Sequence, residues 1–291
     1  MPLDHPYTNL AAGRWVRGNL HSHTTRSDGQ RDPQAVVDDY AARGYDFLMI
    51  SDHDIYTSPD DHARLDARSM TLIPGNEISA NGPHLLHVGA TAHVAPDPLR
   101  QNVINAVNQS GNGLIFANHP NWQQRFDHCP IHCLEQWVGY TGLEIFNGTI
   151  GRLQGSPYAT NKWDMLLAAG RRVWGIATDD SHRTDDVELG WMHLHVTEPT
   201  VENILDALAR GCGYASTGVT IDAIHVHDDT ITVHAPTARR IVALADLGRR
   251  IKVVDDATIE LSVPDNCTYV RFECWGDGES FAWTQPFFVV K

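Results

Sequence analysis

Two histidines one residue apart, His21 and His23, are followed by Asp28 in the stretch GNLHSHTTRSDGQ at 18–30. Imidazole and carboxylate side chains hold divalent metal ions when the fold brings them to one point. The same residue types recur downstream: His53 in SDHD, Glu77 in GNEIS, His119 in ANHP, and Asp180 with His182 in DDSH. Side chains of an extended strand repeat every two residues, so the HxH and DxH pairs each present both members to one face. Neutral imidazoles with carboxylates and no thiolate suit Zn, Mn or Fe. One carboxylate such as Glu77 could bridge two ions, as two-metal hydrolytic sites require. A lone buried histidine is more often a hydrogen-bonded core residue than a ligand. The metal reading therefore rests on the set rather than on any one member.

Strand ends are what must position these residues. From residue 18 to about 196, short apolar runs alternate with longer amphipathic ones, which predicts parallel strands connected by helices. The predicted strands are RGNLHSH, DFLMIS, TLIPGNEI, HLLHVGA, GLIFANH, GLEIFNG and VWGIATDDSH. DPQAVVDDYAARGY reads as a helix from Pro33 to a stop at Gly44, and PLRQNVINAVNQSGNG and YATNKWDMLLAAGRR carry the same apolar spacing. Seven strand–helix units predict an α/β barrel, whose strand ends converge on one face. Beyond ARGCGYASTG the runs become short and alternating, which predicts an all-β accessory tail over 219–291 behind a first domain of 1–218.

The 291 residues are 42% hydrophobic and 20% charged, enough for one sizeable core. A net charge of −14, without long runs, argues against a surface built for nucleic-acid backbone or anionic membrane. No window reaches the ~18 apolar residues of a membrane span, and the N-terminal stretch lacks the marks of a signal peptide, which predicts a cytosolic protein. The five cysteines contain no CxxC pair and read as small buried hydrophobes. Among the remaining histidines, His193 and His195 form a further HxH without an acidic partner nearby and read as structural. His225, His227 and His234 fall in the β tail and read as surface or sheet residues. Arg152, after EIFNG, and Arg183, directly after the DxH pair, could reach the strand ends and hold phosphoryl oxygens as planar forks. Lys162 is a weaker candidate because it falls on a predicted helix. Trp122 and Trp163 could instead line an apolar pocket.

HSHTTRSDG, SDHD, GNEIS, ANHP and DDSH, in that order, resemble the successive motifs of the PHP (polymerase and histidinol phosphatase) domain over about residues 14–218. The tail, ending FAWTQPFFVV, is similar to that of the CehA/McbA-like branch. The resemblance implies a distorted (β/α)7 barrel with two or three divalent metal ions. It implies that His21, His23, Glu77 and Asp180 hold one ion, that Glu77 bridges to a second bound also by His119, and that Asp28, His53 and His182 hold a third. The family often adds a histidine on the strand after the glutamate. His84 and His87 have opposite strand parity, so one of them should face inward, and His84 is favoured. The implied activity is hydrolysis of a small phosphomonoester or phosphodiester by an ion-activated hydroxide, with Glu77, Asp180 and His182 catalytic. The expected partner is a small anionic substrate, and nucleic acid is expected only as a small nucleotide. Hydrolysis of a neutral ester, carbamate or amide is the alternative, and a non-catalytic metal-holding domain the third reading.

Overall fold

Asp32 starts the first long helix: its carboxylate accepts the Ala35 N–H at 2.9 Å while Pro33 fills the first helical position. The computed structural model describes residues 2–8, 10–111 and 113–290. In chain order the first part comprises β1 (Leu3–Asp4), β2 (Arg14–Asn19), α1 (Pro33–Ala41), β3 (Phe47–Leu48), α2 (Pro59–His62), β4 (Thr71–Leu72), β5 (Gly75–Ile78) and β6 (Leu85–Val88). It continues with α3 (Arg100–Ser110), β7 (Leu114–Ala117), α4 (Ile131–Gln136), β8 (Gly142–Asn147), α5 (Thr160–Ala168), β9 (Trp174–Thr178), β10 (Trp191–Val196), α6 (Val201–Arg210) and β11 (Gly213–Ser216). The three helices expected from sequence coincide with α1, α3 and α5.

The parallel barrel expected from the sequence is not what these strands form. β2, β3 and β4 pair in parallel, as do β7, β8 and β9, but β6 is antiparallel to both β5 and β7. The cause is chain length. Only residues 79–84 separate β5 from β6, and a parallel crossover needs about a dozen or more. TLIPGNEI, read as one strand, splits into β4 and β5 at Pro74, which has no N–H to give a ladder. Strands β5–β9 form a five-stranded sheet of their own, whereas β2–β4 belong to an eleven-stranded one. The described residues contain no closed sheet. The two sheets meet instead at isolated parallel bridges, Ser22 with Ser181 and His53 with Glu77. Both bridges lie within the HSH, DDSH, SDHD and GNEIS motifs, so the seams of the architecture coincide with the residues of chemical interest.

The remaining strands are β12 (Ala223–His227), β13 (Thr230–His234), β14 (Arg240–Ala245), β15 (Arg249–Val254), β16 (Thr258–Ser262), β17 (Tyr269–Trp275), β18 (Phe281–Thr284) and β19 (Phe287–Val289). β12, β13 and β16 make a small separate sheet, but β18 pairs with β11 and β19 with β1. The large sheet thus runs from β2 through β10 and β11 into the tail. A second apolar cluster, with Ile241, Phe272 and Phe287 together with Tyr7 and Tyr214, lies beside the main cluster around Phe47, Phe116 and Trp163. No helix is long and apolar enough to cross a membrane among the described residues.

Candidate metal centre

Beyond β2 the chain stays extended, and the Ser22–Ser181 bridge fixes the parity that turns His21 and His23 to the same side. Both imidazoles are completely buried, as is Glu77. Glu77 sits at the middle of a ring of histidines. Its Oε1 lies 3.4 Å from His21 Nε2, 3.0 Å from His84 Nδ1 and 3.3 Å from His119 Nε2, and its Oε2 lies 2.7 Å from His53 Nδ1 and 3.5 Å from His23 Nε2. Asp180 Oδ1 faces His21 Nε2 at 3.2 Å and His23 Nε2 at 3.1 Å. On the outer side Asp28 reaches His182 Nε2 at 3.3 Å, His53 Nε2 at 3.6 Å and His23 Nδ1 at 3.7 Å. All nine residues expected to hold metal therefore come together, in overlapping groups whose ligand atoms lie within 4.8 Å of one another. His84 turns into the group, whereas His87, three residues on, is buried within β6 and pairs with Asn76.

These atoms suit cations better than they suit one another. His21 Nε2, His23 Nε2, His53 Nδ1 and Glu77 Oε2 are buried and make no hydrogen bond of acceptable geometry, although each has an oppositely charged or polar neighbour within about 3.5 Å. Such a convergence of unpaired lone pairs is costly unless a cation satisfies it. The donor set, imidazole and carboxylate without sulfur, fits Zn, Mn or Fe. Asp180 and His119 hold left-handed backbone, with φ of +55° and +27°. For non-glycine residues this is strain of the kind that persists where surrounding structure enforces it.

Sequence reasoning missed two members of this centre. Glu144 is buried in β8. Its carboxylate meets His21 Nδ1 at 2.7 Å and accepts the His119 N–H at 2.6 Å, the Thr178 hydroxyl at 2.5 Å and an Asn147 amide N–H at 2.9 Å. A carboxylate behind an imidazole fixes its tautomer and raises its basicity as a ligand. Glu144 was visible as the single charge in GLEIFN. His128 accepts the His84 backbone N–H at 3.0 Å and packs on His84 and His119, with ring centroids 4.6 and 4.7 Å apart. It comes from an irregular loop and carries no spacing signal.

Without cations the outer side of the centre holds ionised partners, Asp28 and His53. Burial opposes charge on His53, but the carboxylates of Asp28 and Glu77 facing its two ring nitrogens override it and raise its pKa from the ordinary 6.5 to about 10. Asp28, bonded to His182 and His53, is held well below the usual carboxylate range. A raised histidine stabilises the fold fully below 6.5, and that stabilisation is lost as pH climbs through about 10. The depressed Asp28 stabilises above its ordinary 3.8 and loses this as pH falls through its lowered folded value. Metal-stripped protein is therefore expected to melt at progressively lower temperature from pH 6.5 to about 10, and His53→Asn to flatten that slope. Melting curves that stay level across this range in the unsubstituted protein would contradict the assignment.

Two cavities flank the 3₁₀ turn Thr149–Arg152. The smaller, about 160 Å³, opens onto Asp28, His53, Glu77, Asp180 and His182 and is walled by Trp122, Ile150 and Leu153. Among the described residues no lysine or arginine lines it. The larger, about 630 Å³, holds both Arg152 and Arg183. Asp186 ties the two together: it takes a bidentate contact from Arg152 at 2.8 and 2.9 Å, one from Arg183 Nε at 3.2 Å, and the His182 N–H at 3.1 Å. Trp163 lines neither cavity. It is wholly buried in the main core, its indole N–H donating to the Val173 carbonyl, because the inward face of α5 carries it there. His193 accepts the Trp191 indole N–H and stacks on Tyr214, away from the centre.

No protein-family model and no curated protein matches the chain. Solved structures do. A two-domain protein from Bacteroides vulgatus, containing a predicted PHP-like metal-dependent phosphoesterase, aligns over 100% of this chain and 90% of its own with a TM-score of 0.57 at 16% identity. PfuEndoQ, a lesion-specific endonuclease from Pyrococcus furiosus, aligns over 67% of this chain and 56% of its own with a TM-score of 0.51 at 14% identity. PsfC from Pseudomonas syringae aligns over 67% and 90% with a TM-score of 0.50 at 13% identity. At such identities the likeness establishes a shared α/β fold.

Proposed function

We propose that this chain is a PHP-type metal-dependent hydrolase that cleaves a small phosphate ester, with two or three divalent ions of Mn, Fe or Zn. The observation that carries the proposal is the ring of five imidazoles around the buried Glu77 carboxylate. His21, His23, Glu77 and Asp180 would hold one ion, Glu77 and His119 with His84 a second, and Asp28, His53 and His182 a third. When bound, the ions would acidify a water and neutralise charge on the reacting group. Glu77 has one oxygen toward each side of the ring and is placed to be shared. Asp180 holds His21 and His23 at a common distance. His182, half-buried at the cavity wall, is oriented by its Nδ1 contact with the Asp180 carbonyl at 2.8 Å. Trp122, Ile150 and Leu153 shape the space for the leaving group. Arg152 and Arg183 would meet oxygens of substrate projecting past the 3₁₀ turn, and Asp186 would keep their guanidinium planes fixed. Residues 219–291 would serve as an accessory layer on this centre.

The absence of lysine and arginine from the smaller cavity, together with its apolar wall, favours a second reading: hydrolysis of a neutral ester, carbamate or amide, as the tail's likeness to the CehA/McbA-like branch suggests. Restoring Mn to metal-stripped protein and measuring turnover across phosphate esters, aryl esters and carbamates separates the two. For the phosphate reading, Arg152→Ala or Arg183→Ala is expected to raise KM for a phosphate ester by about tenfold, one charge-assisted contact of ~1.4 kcal/mol. Inorganic phosphate should compete. If neither arginine matters and an aryl carbamate turns over fastest, the second reading replaces the first.

A further inference from the structure

Lys162 is a buried ammonium that the proposed chemistry does not use. It lies on α5, 6% exposed, and all three of its N–H groups are taken by backbone carbonyls, those of Pro120, Phe126 and Cys129, each at 2.8 Å. Two of these carbonyls belong to the residues immediately after His119 and His128. The ammonium thus gathers both ends of a loop that leaves the centre at His119 and returns to it at His128. Within the loop the Trp122 N–H donates to the His119 carbonyl at 3.0 Å, and the His128 N–H to the Trp122 carbonyl at 3.1 Å. The returning histidine then receives the His84 N–H on Nε2, so its lone pair is spent on the backbone of His84. An apolar side chain in place of Lys162 would avoid the desolvation of a charge. It would also leave the Phe126 and Cys129 carbonyls without a donor and the Pro120 carbonyl with the Cys129 N–H alone, at 3.3 Å.

We propose that Lys162 is a positioning residue for the metal centre: by clamping the 120–129 loop it seats His128 against the backbone of His84 and so sets where the His84 imidazole stands relative to Glu77 and His119. The proposal rests on the reading of His84 and His119 as ligands, and its test has one arm that does not. In metal-free Lys162→Met, hydrogen exchange at the His84 amide is expected to accelerate by about tenfold or more, while amides of β7 and β8 keep their protection. In a Co²⁺ titration of the same variant, one ion is expected to weaken by about 10–100-fold with a changed visible spectrum, the others binding as in the unsubstituted protein, as for other residues that hold a ligand from behind.

A folded variant with unchanged His84 exchange and an unchanged Co²⁺ titration overturns the proposal. So does one in which every ion weakens equally, because that is the mark of general loosening. If Lys162→Met does not fold, His128→Ala is read in the same two assays, and absence of both changes there overturns it. If the unsubstituted protein takes up no Co²⁺, the hydrolase reading fails, and exchange at His84 alone decides the clamp.

Discussion

Glu77→Gln is expected to lower kcat/KM by at least about a thousandfold, the loss of ~4 kcal/mol that follows when a carboxylate shared between ions gives up its charge. The substitution keeps the volume, and Asn118, which donates to Glu77 Oε1 at 2.6 Å, retains an amide oxygen as acceptor. Glutamine instead places an NH2 group, with two N–H donors, among five imidazoles and removes the charge on which all of them converge. Elemental analysis should find fewer ions per chain, with circular dichroism unchanged. His195→Ala is the control. That residue packs edge-on against Trp15, 5.0 Å between centroids, and its loss should leave the chemistry near the unsubstituted level. Equal inactivation by the two substitutions, with both variants folded, would sink the separation of site from scaffold.

The centre was readable in the sequence because its geometry is mostly local. HxH and DxH fix two side chains on one face by strand parity alone. Parity also allowed only one of His84 and His87 to face inward, since three residues reverse the face, without itself saying which. Convergence of the motifs also followed from alternating strands and helices, which put strand ends together whether or not the sheet closes. The sheet itself was misread, because periodicity reports what is buried and not which neighbour it pairs with. The turn at 79–84 is too short for a crossover, and that information lies in the spacing between runs. Glu144 and His128 escaped for different reasons. A lone carboxylate in an apolar strand was passed over for lack of a motif, whereas His128 reaches His84 only through a loop whose path is set by Lys162. Arg183 was placed by its position directly after the DxH pair and Arg152 by the loop that follows EIFNG, and neither says that Asp186 claims both guanidinium groups.

The largest expected effect on stability comes from the other side of α5. Asp164 is buried two residues after Lys162, and its Oδ1 accepts the Tyr269 hydroxyl and Arg271 Nε at 2.7 Å while Oδ2 accepts Arg271 Nη2 at 2.7 Å. Arg271 is 1% exposed, and its remaining carboxylate partner is Glu273 at 2.9 Å. Asp164→Ala leaves that guanidinium buried with half its compensation gone, which costs about 3–5 kcal/mol. For a chain of this size the melting temperature should fall by roughly 10 °C. Replacing the pair together, Asp164→Leu with Arg271→Met, should recover much of the loss, because no uncompensated charge then remains. The consequence for function follows from the order of side chains on α5. Lys162 faces the loop between His119 and His128, Trp163 the main core, and Asp164 the strand β17. The tail is thereby fastened to the helix that steadies one wall of the candidate metal centre. Below its melting temperature Asp164→Ala should still bind its full complement of ions, because the Lys162 contacts are intact. A variant that melts within about 1 kcal/mol of the unsubstituted protein would show that the buried pair is not what anchors the tail.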